Sequence, residues 1–593
     1  MNKLITALIL LFNIYYSYGQ IQLNANFDST SSDVLPTFKI SDDGQTVVYM
    51  ADQNIDEMFE LFSVPIKGGE PINLHPNLIP EEQVLSTSFS ISPDGKWVIY
   101  SVREFGKSNL FSVASTGGTP VQLNEEFLNY GTIYSFSISP DSNTVIYNSS
   151  LPDQTLQDGL FSVPINGGIP VKLNQFENDL FDIRNFLINS TSNKVVYLII
   201  QNGIHNIYSV NFDGTNQTRL NSQLLEGADV DEDSYKINNQ GNIVIYLADQ
   251  DIVDKLELYS VPINGGIPTK LNNELVTNGN VRDDFKLAND DITIVYTADQ
   301  NIDEKIEVFS VPIYGGEPIN LNENFPDEGG INGTFLISPN SKTVVYRGIQ
   351  KIGDFELFSI PITGGNPVRL NIDLPIGGNV FPRWNISPNG QTVLYISEQD
   401  SDLKNELYSV PIVGGIPIKL NNELPFKTNI TSGFVIPENS NSVIYMNEFD
   451  STYSVAINGG EVTELNTSGK IINFSLSGDF QNIVYVANQN KSSVDEIFSI
   501  PVINYDITLS NTVNDIEDLK IKIFPNPSNE YLSVYSKNKY LSLEIYDMQG
   551  KSLKTSYSNS TNYYDISALS NGTYLLKIIF NNNETLSKLI IKQ

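Results

Sequence analysis

The chain contains no cysteine, only two histidines and only two tryptophans in 593 residues. Without cysteine it can form neither a disulfide nor a thiolate metal site, and it has no cysteine nucleophile. The two histidines, His75 and His205, stand at positions set by a repeat pattern. A Ser-His-Asp triad needs a base that orients and deprotonates its serine, and neither histidine is placed for that role. We therefore assign no catalytic residue, and we favour a binding role over an enzymatic one.

Positive charge is also scarce. Lysine and arginine total 35 against 69 aspartates and glutamates, for a formal net charge of −34. A chain of this kind repels a phosphate backbone and offers no basic stripe, so we expect no nucleic-acid partner. The acidic surface would keep the protein soluble and resist aggregation.

Long apolar runs are missing except near the N-terminus. There Lys3 precedes an apolar run over residues 4–12, and a small-residue segment ends at Gly19. This pattern predicts a signal peptide over residues 1–19, with cleavage before Gln20. The run is too short to span a bilayer, so no transmembrane anchor is expected.

What the sequence does contain is one pattern that recurs ten times. Each unit has a turn, an aliphatic segment that ends in tyrosine, a segment of the type LFSVP, a Gly-Gly turn and a segment that ends in LN. The tyrosines follow one another at intervals of 40 to 51 residues, which indicates one array of like units. These tyrosines are Tyr49, Tyr100, Tyr147, Tyr197, Tyr246, Tyr296, Tyr346, Tyr395, Tyr445 and Tyr485.

Each unit is predicted to form four short strands. Residues 89–124 show the pattern: β-branched and aromatic segments alternate with turns that contain proline, aspartate and glycine. A four-stranded unit repeated radially is a β-propeller blade, so we predict an all-β propeller over residues 20–505. One ring of about ten blades is the first choice, and two smaller rings are the alternative.

The two ends of the array complement each other. The tenth unit stops after its third strand, at Pro501, and no Gly-Gly turn or LN segment follows. Residues 21–24 match the fourth strands of other units, yet no unit precedes them. We infer that they complete the last blade and close the ring, because an open blade would expose unpaired backbone groups.

Residues 21–505 resemble the TolB-type propeller repeats, and more distantly the WD-repeat propellers. The resemblance rests on turns followed by a strand that ends in tyrosine: Ser92-Pro93-Asp94-Gly95, Ser139-Pro140-Asp141 and Ser387-Pro388-Asn389-Gly390.

Residues 506–518 are predicted to be a polar linker, and residues 519–593 a small Ig-like β-sandwich. This last domain resembles the C-terminal sorting domain of the type IX secretion system of Bacteroidetes. The resemblance implies export by Sec, passage through the type IX machinery as a partner, and a secreted or cell-surface location. The matching residues are Pro525, Asn526, Pro527, Tyr546, Asp547, Gly550, Lys551, Gly572, Tyr574 and Lys588.

Two loops suggest a metal site. Between the second and third strands of units 1 and 6 the sequence alternates oxygen donors of the kind that hard cations prefer. No cofactor is expected, but we keep calcium as a hypothesis against that of solvated loop tips. The candidate ligands are Asp52, Asn54, Asp56, Asp299, Asn301 and Asp303.

Binding is expected on the face that carries the second–third and fourth–first connections, since these are longer and more variable than the others. Aromatic residues lie there among carboxylates, which would suit an extracellular protein or glycan, or would fill gaps between blades. A polysaccharide lyase or glycoside hydrolase that uses carboxylates in the channel is the alternative function. The candidate residues are Phe127, Tyr130, Tyr134, Asp283, Asp284, Phe325, Asp327, Phe381 and Phe426.

Overall fold

The computed structural model divides the chain into two compact units, Met1–Asn504 and Tyr505–Gln593, and each is described by itself. None of the residues that the structure describes forms a helix that could serve as a membrane span. The predicted signal peptide and the predicted linker lie outside the residues that the structure describes. The described residues are 20–27, 32–55, 57–79, 82–125, 127, 131–150, 158–175, 181–191, 193–322, 329–351, 354–400, 404–422, 429–430, 433–437, 441–447, 452–464, 471–478, 481–491, 494–501, 522–524, 531–535, 540–546, 551–557, 563–570, 572–580 and 585–592.

The first unit consists of ten four-stranded antiparallel sheets. β-Branched and aromatic residues make the second and third strands of each sheet its buried centre. Blade 1 comprises Val34–Ile40, Thr46–Ala51, Glu60–Pro65 and Ile72–Asn73; blade 2, Glu82–Ile91, Trp97–Glu104, Lys107–Ala114 and Val121–Gln122; blade 3, Ile133–Ile138, Thr144–Ser150, Asp158–Pro164 and Val171–Lys172. Blade 4 comprises Phe181–Ile188, Lys194–Gln201, Ile204–Asn211 and Thr218–Arg219; blade 5, Val230–Ile237, Ile243–Ala248, Glu257–Pro262 and Thr269–Lys270; blade 6, Lys286–Leu287, Thr293–Ala298, Glu307–Pro312 and Ile319–Asn320. Blade 7 comprises Gly330–Ile337, Thr343–Lys351, Asp354–Pro361 and Val368–Arg369; blade 8, Val380–Ile386, Thr392–Ser397, Glu406–Pro411 and Ile418–Lys419; blade 9, Phe434–Val435, Ser442–Met446, Thr452–Ala456 and Thr463–Glu464. Blade 10 comprises Ile471–Leu476, Asn482–Lys491, Val494–Pro501 and, from the N-terminus, Ile21–Gln22.

The ten blades form one ring. Within the described residues, ten apolar clusters each join two sequential blades. One of them joins the last blade to the first, with Val47 and Tyr49 of blade 1 packed among Val484 and Val486 of blade 10. The predicted all-β propeller is confirmed, and the single ring is chosen over the two-ring alternative.

The ring is closed by the N-terminal strand, as inferred from the sequence. Ile21 pairs with Ser499 and Gln22 with Phe498, antiparallel to the third strand of blade 10. Leu23, 1% exposed, then enters the core between blades 10 and 1. We call residues 20–25 the closing strand.

The recurring LN pair has a structural role that is visible only in three dimensions. In blades 2 to 8 the asparagine after the fourth strand accepts a hydrogen bond, through its side-chain oxygen, from a backbone N–H of the third strand. Asn24 makes the same bond to Ile497 N–H at 3.0 Å, so the closing strand reproduces a complete fourth strand. The corresponding residues of blades 2 to 8 are Asn124, Asn174, Asn221, Asn272, Asn322, Asn371 and Asn421, at 2.7–3.0 Å.

In blade 1 a histidine replaces this asparagine. His75 Nδ1 lies 2.9 Å from the hydroxyl oxygen of Tyr100, and burial lowers the pKa of His75. This histidine is therefore part of the packing between blades 1 and 2.

Two other recurring residues also hold the blades together. In all ten blades the tyrosine of the second strand stacks on an aromatic ring of the third strand, with centroids 5.2–6.0 Å apart. The serine of the third strand donates a hydrogen bond to the backbone of the next blade. Ser63 Oγ donates to Ser115 O, and Ser260 Oγ donates to Ile313 O, both at 2.6 Å. The sequence pattern thus encodes both the blade and its contact with the next one.

The first glycine of the Gly-Gly turn is required for contact between blades. Gly117 has φ +85°, and a Cβ there would lie 2.7 Å from Cγ2 of Ile72, in the fourth strand of the preceding blade. Ile21 of the closing strand takes the same place against Gly68, at 2.7 Å. The turn therefore receives a side chain of the neighbouring blade at close range.

We expect Gly117→Ala to lower the melting temperature more than Gly203→Ala does. Gly203 has a similar φ of +78° but nothing within 4 Å of an added Cβ, so it reports left-handed strain alone, roughly 1–2 kcal/mol. At Gly117 the clash with the stiff, β-branched Ile72 adds about 1–3 kcal/mol. Thermal denaturation of both variants measures the difference, and equal losses would contradict the packing role.

The second unit contains two sheets of described strands. One has three strands and the other four, and they enclose a core that includes Leu532, Leu543, Ile566 and Ile578. The structure confirms the predicted small β-sandwich. Its strands are Lys522–Phe524, Tyr531–Tyr535, Tyr540–Tyr546, Ser552–Tyr557, Tyr563–Asp565, Gly572–Phe580 and Thr585–Lys592.

Candidate functional site

The antiparallel order of each blade sets its two faces, because successive connections between neighbouring antiparallel strands alternate from one end of the sheet to the other. The Gly-Gly turns and the first–second turns lie on one face. The second–third and fourth–first connections lie on the opposite face, which we call the long-loop face. The candidate site is built on this face.

The aspartate-rich loops of the long-loop face are capped by their own carboxylates. Asp52 accepts hydrogen bonds from the backbone N–H groups of Asp33, at 2.5 Å, and Glu57, at 3.0 Å. Next to it Gln53 accepts the Tyr49 hydroxyl at 3.1 Å. The same two backbone bonds recur at Asp249, from Asp229 and Asp254, and at Asp299, from Asn280 and Glu304.

These bonds bear on the calcium hypothesis. Asn301 donates its amide to Glu307 at 2.8 Å, Asp303 accepts from Asn278 at 3.3 Å, and Asn54 is exposed. No group of three or more His, Asp or Glu side chains that could hold a metal ion occurs in the described part of the chain. Asp56 lies outside it. Calcium binding at these loops stays a prediction.

The predicted binding residues have different environments. Phe127 is 3% exposed in the core between blades 2 and 3, so it fills the gap between blades rather than a ligand surface. Phe381 packs on the core between blades 8 and 9, whereas Tyr134 is 55% exposed. Asp284 accepts a hydrogen bond from the Thr297 hydroxyl, and burial raises the pKa of Asp284. Tyr130, Phe325, Asp327 and Phe426 lie outside the described residues.

Asp283 lines a cavity of about 820 Å³ where blades 4, 5 and 6 meet on the long-loop face. Seven carboxylates line it, against one arginine and one histidine. The histidine, His205, already lies 3.6 Å from Glu232 Oε1 through its Nε2. The lining residues are His205, Asp229, Val230, Asp231, Glu232, Asp233, Asp249, Asp254, Leu256, Asn280, Val281, Arg282 and Asp283.

Four of the seven cavity carboxylates have partners within the protein: Asp229, Asp231, Glu232 and Asp249. Asp249 is committed to the backbone of Asp229 and Asp254, and Asp229 accepts the backbone N–H of His205 at 2.8 Å, so these two side chains shape the cavity. A glycoside hydrolase also uses a pair of carboxylic acids that face each other across its site. The alternative function, a polysaccharide-active enzyme, therefore stays a prediction. Of the seven cavity carboxylates, those of Asp233, Asp254 and Asp283 have no hydrogen bond or ion pair within the described part of the chain.

Two features of this face were not predicted from the sequence. The first is the cavity itself, which the acidic residues within 229–233 could have indicated. The second is Phe105, 71% exposed in the hairpin that joins the second and third strands of blade 2. The sequence feature that could have indicated this residue is an aromatic side chain directly before a glycine at the predicted turn.

The described sorting residues lie in different parts of the second unit, from its core to its surface. Tyr574, 8% exposed, donates its hydroxyl to Ser570 O at 2.7 Å, and Tyr546 donates to Glu544 at 2.5 Å. Gly572 begins a strand, and Lys588 pairs with Leu576 in the last strand. Lys551 is exposed. Pro525, Asn526, Pro527, Asp547 and Gly550 lie outside the described residues.

Comparison with known proteins identifies the second unit. Residues 522–592 match the family described as a secretion system C-terminal sorting domain. The predicted type IX sorting domain is therefore confirmed, and the protein is exported and either secreted or displayed at the cell surface. No curated protein matches the chain.

Two solved structures are similar to the chain over part of its length. One comes from a structural and mechanistic study of two prolyl endopeptidases, with 11% identity and a TM-score of 0.35 over 62% of this chain. The other is dipeptidyl peptidase 4 of Porphyromonas gingivalis, with 9% identity and a TM-score of 0.43 over 68% of this chain. The chain spans 55% and 64% of the lengths of these two proteins.

Proposed function

We propose that this protein is an exported binding protein whose propeller captures a cationic ligand in the acidic cavity of the long-loop face. The proposed mature chain begins at Gln20, after removal of a signal peptide over residues 1–19. Cleavage there leaves the closing strand intact, since its pairing begins at Ile21. The propeller over residues 20–505, the linker over 506–518 and the sorting domain over 519–593 are the proposed domains.

One observation carries the ligand class: carboxylates with no hydrogen-bonded or ion-paired partner converge on a cavity whose lining has few cations. Asp233, Asp254 and Asp283 have free acceptor oxygens, whereas Arg282 and His205 supply the only basic side chains of the lining. Ammonium and guanidinium groups donate strong, charge-assisted hydrogen bonds to carboxylates. A concave site of one sign also focuses the field and attracts ligands of opposite charge.

Binding of a cationic peptide should therefore depend on these three carboxylates. We expect the triple variant Asp233→Asn, Asp254→Asn and Asp283→Asn to bind trilysine and triarginine at least roughly tenfold more weakly than the wild type, as measured by calorimetry at low salt. Higher salt should weaken wild-type binding as well, because these charges are exposed to solvent.

A matched control separates the cavity from net charge. Glu70→Gln, Glu317→Gln and Glu461→Gln remove the same three charges from exposed positions in the Gly-Gly turns of the opposite face. This variant should bind like the wild type, and triglutamate should not bind to either protein. Equal affinity of the two triple variants, or no binding of the cationic peptides by the wild type, would refute the proposal.

A further inference from the structure

The first strands of blades 5 and 6 each carry a lysine that reaches across to the following blade. Lys236 Nζ donates to Phe285 O at 2.5 Å. Lys286 Nζ donates in the same way to Phe335 O. First strands of successive blades contact one another elsewhere in the ring, so these strands lie nearest its axis and line the central channel. We call Lys236 and Lys286 the basic pair.

Formation of a blade does not require a lysine at this position. Blades 4 and 7 have Leu187 and Leu336 in the same register, and blades 2 and 3 have Ser90 and Ser137. Lys39 of blade 1 shares the register and is exposed. The basic pair thus stands on two adjacent blades without being needed by the fold, and the same two blades contribute to the acidic cavity.

The basic pair has no carboxylate partner at close range. Although the chain contains 69 acidic residues, neither ammonium forms an ion pair with a carboxylate of the described residues. Instead the ammonium groups lie over aromatic rings, 4.8 Å from the centroid of Phe285 and 5.0 Å from that of Phe335. Burial lowers the pKa of both lysines and the charge of Lys236 lowers that of Lys286 further, whereas Asp284 raises both. A bound anion would compensate these two positive charges.

Both ammonium groups have N–H donors left for a ligand. An ammonium has three donors; Lys236 uses one, and Lys286 uses a second one on the Thr334 hydroxyl at 2.9 Å. The free carboxylates of the cavity are close by. Asp233 precedes Lys236 by three residues in the same strand, a distance of about 10 Å. Asp283 precedes Lys286 by the same spacing in blade 6.

We propose that this part of the ring binds the C-terminal end of a basic peptide, with its cationic side chains in the acidic cavity and its terminal carboxylate on the basic pair. The inference rests on the proposed function and adds a second, opposite charge to the ligand. An extended tripeptide spans about 10 Å, which matches the spacing between the free carboxylates and the lysines. Hydrogen bonds between ammonium and carboxylate groups are charge-assisted, and partial exclusion of water strengthens them.

Amidation of the peptide tests the second charge. By calorimetry at low salt, the wild-type full chain should bind trilysine at least about tenfold more tightly than trilysine amide, although the amide is more cationic. Equal affinity, or a preference for the amide, with binding that still depends on Asp233, Asp254 and Asp283 would overturn this inference and leave the proposed function intact. No binding of either peptide would refute both.

A double variant, Lys236→Leu with Lys286→Leu, assigns the preference to the basic pair. Leucine occupies this register in blades 4 and 7, so the blades should form, and the melting temperature checks this. Trilysine should bind about tenfold more weakly than to the wild type. Trilysine amide should bind at least as tightly as before, because two positive charges are gone. A change in net charge alone would strengthen the binding of both peptides.

The matched control removes two lysines that are exposed elsewhere, by Lys39→Leu with Lys342→Leu. This variant should keep the wild-type preference for trilysine over its amide. A preference that persists in the variant of the basic pair, or one that is lost in the control, would overturn the assignment to Lys236 and Lys286.

Discussion

Deletion of the closing strand, residues 20–25, is expected to lower the melting temperature by several degrees and to make the protein self-associate. The deletion removes Leu23 from the core between blades 10 and 1, a loss of about 1.5–3 kcal/mol. It also removes the hydrogen bond from the N–H of Ile497 to Asn24, a further net loss of about 0.5–1.5 kcal/mol. The third strand of blade 10 then becomes an open edge, which pairs readily with other chains.

A peptide added in trans provides the control for this deletion. A synthetic peptide of residues 20–27 should bind the truncated propeller and restore its melting temperature and monomeric profile on size-exclusion chromatography. The same peptide with Asn24→Ala should restore less of the melting temperature. The shortfall should match the loss of melting temperature that Asn124→Ala causes in the intact chain, where the equivalent bond lies in blade 2. Unchanged stability and a monomeric profile after deletion would contradict the closing role.

Loss of the sorting domain should abolish export. Deletion of residues 519–593 in a Bacteroidetes host is expected to leave the propeller in the periplasm, because the match to the sorting family lies wholly within the deleted segment. Cell fractionation with immunodetection measures the distribution. The trapped protein should still resist proteolysis, because the propeller has its own apolar clusters. Normal appearance at the surface or in the medium would refute the assignment.

A transfer experiment separates sorting from folding. Residues 505–593 form a compact unit with a core of their own, so this segment fused to a periplasmic reporter should direct the reporter out of the cell. Tyr574→Ala in the fusion should reduce export, because it removes a core side chain and its bond to Ser570 O. A reporter that stays in the periplasm with the intact segment would show that the propeller also contributes to sorting.

The candidate site was less predictable than the fold. The spacing of Asp52, Asn54 and Asp56 has the alternating oxygen donors of a cation loop, yet the carboxylate of Asp52 is used to cap the backbone of Asp33 and Glu57. Local spacing does not distinguish these two uses, since Asp33 belongs to a different connection of the blade. Phe127 was ambiguous for the same reason, because only the contact of blades 2 and 3 shows that its ring is buried.

Features of this protein that depend on local order along the chain could be predicted from the amino-acid sequence. Strand alternation, turn residues and the period near fifty residues are visible in the sequence, so the blade and the number of blades were predictable. The sorting domain was predicted from its resemblance to a known family. Even the closing strand was predictable, because a missing segment at one end matched an extra one at the other.

Features that depend on contacts between units became visible only in the folded protein. A single ring follows from packing between blades 10 and 1, where residues such as Gln22 and Glu496 meet although they are 474 positions apart. The acidic cavity arises from three successive blades. Such features result from side-chain packing between units of nearly identical local pattern, and the shared pattern carries no information about how neighbouring units differ where they meet.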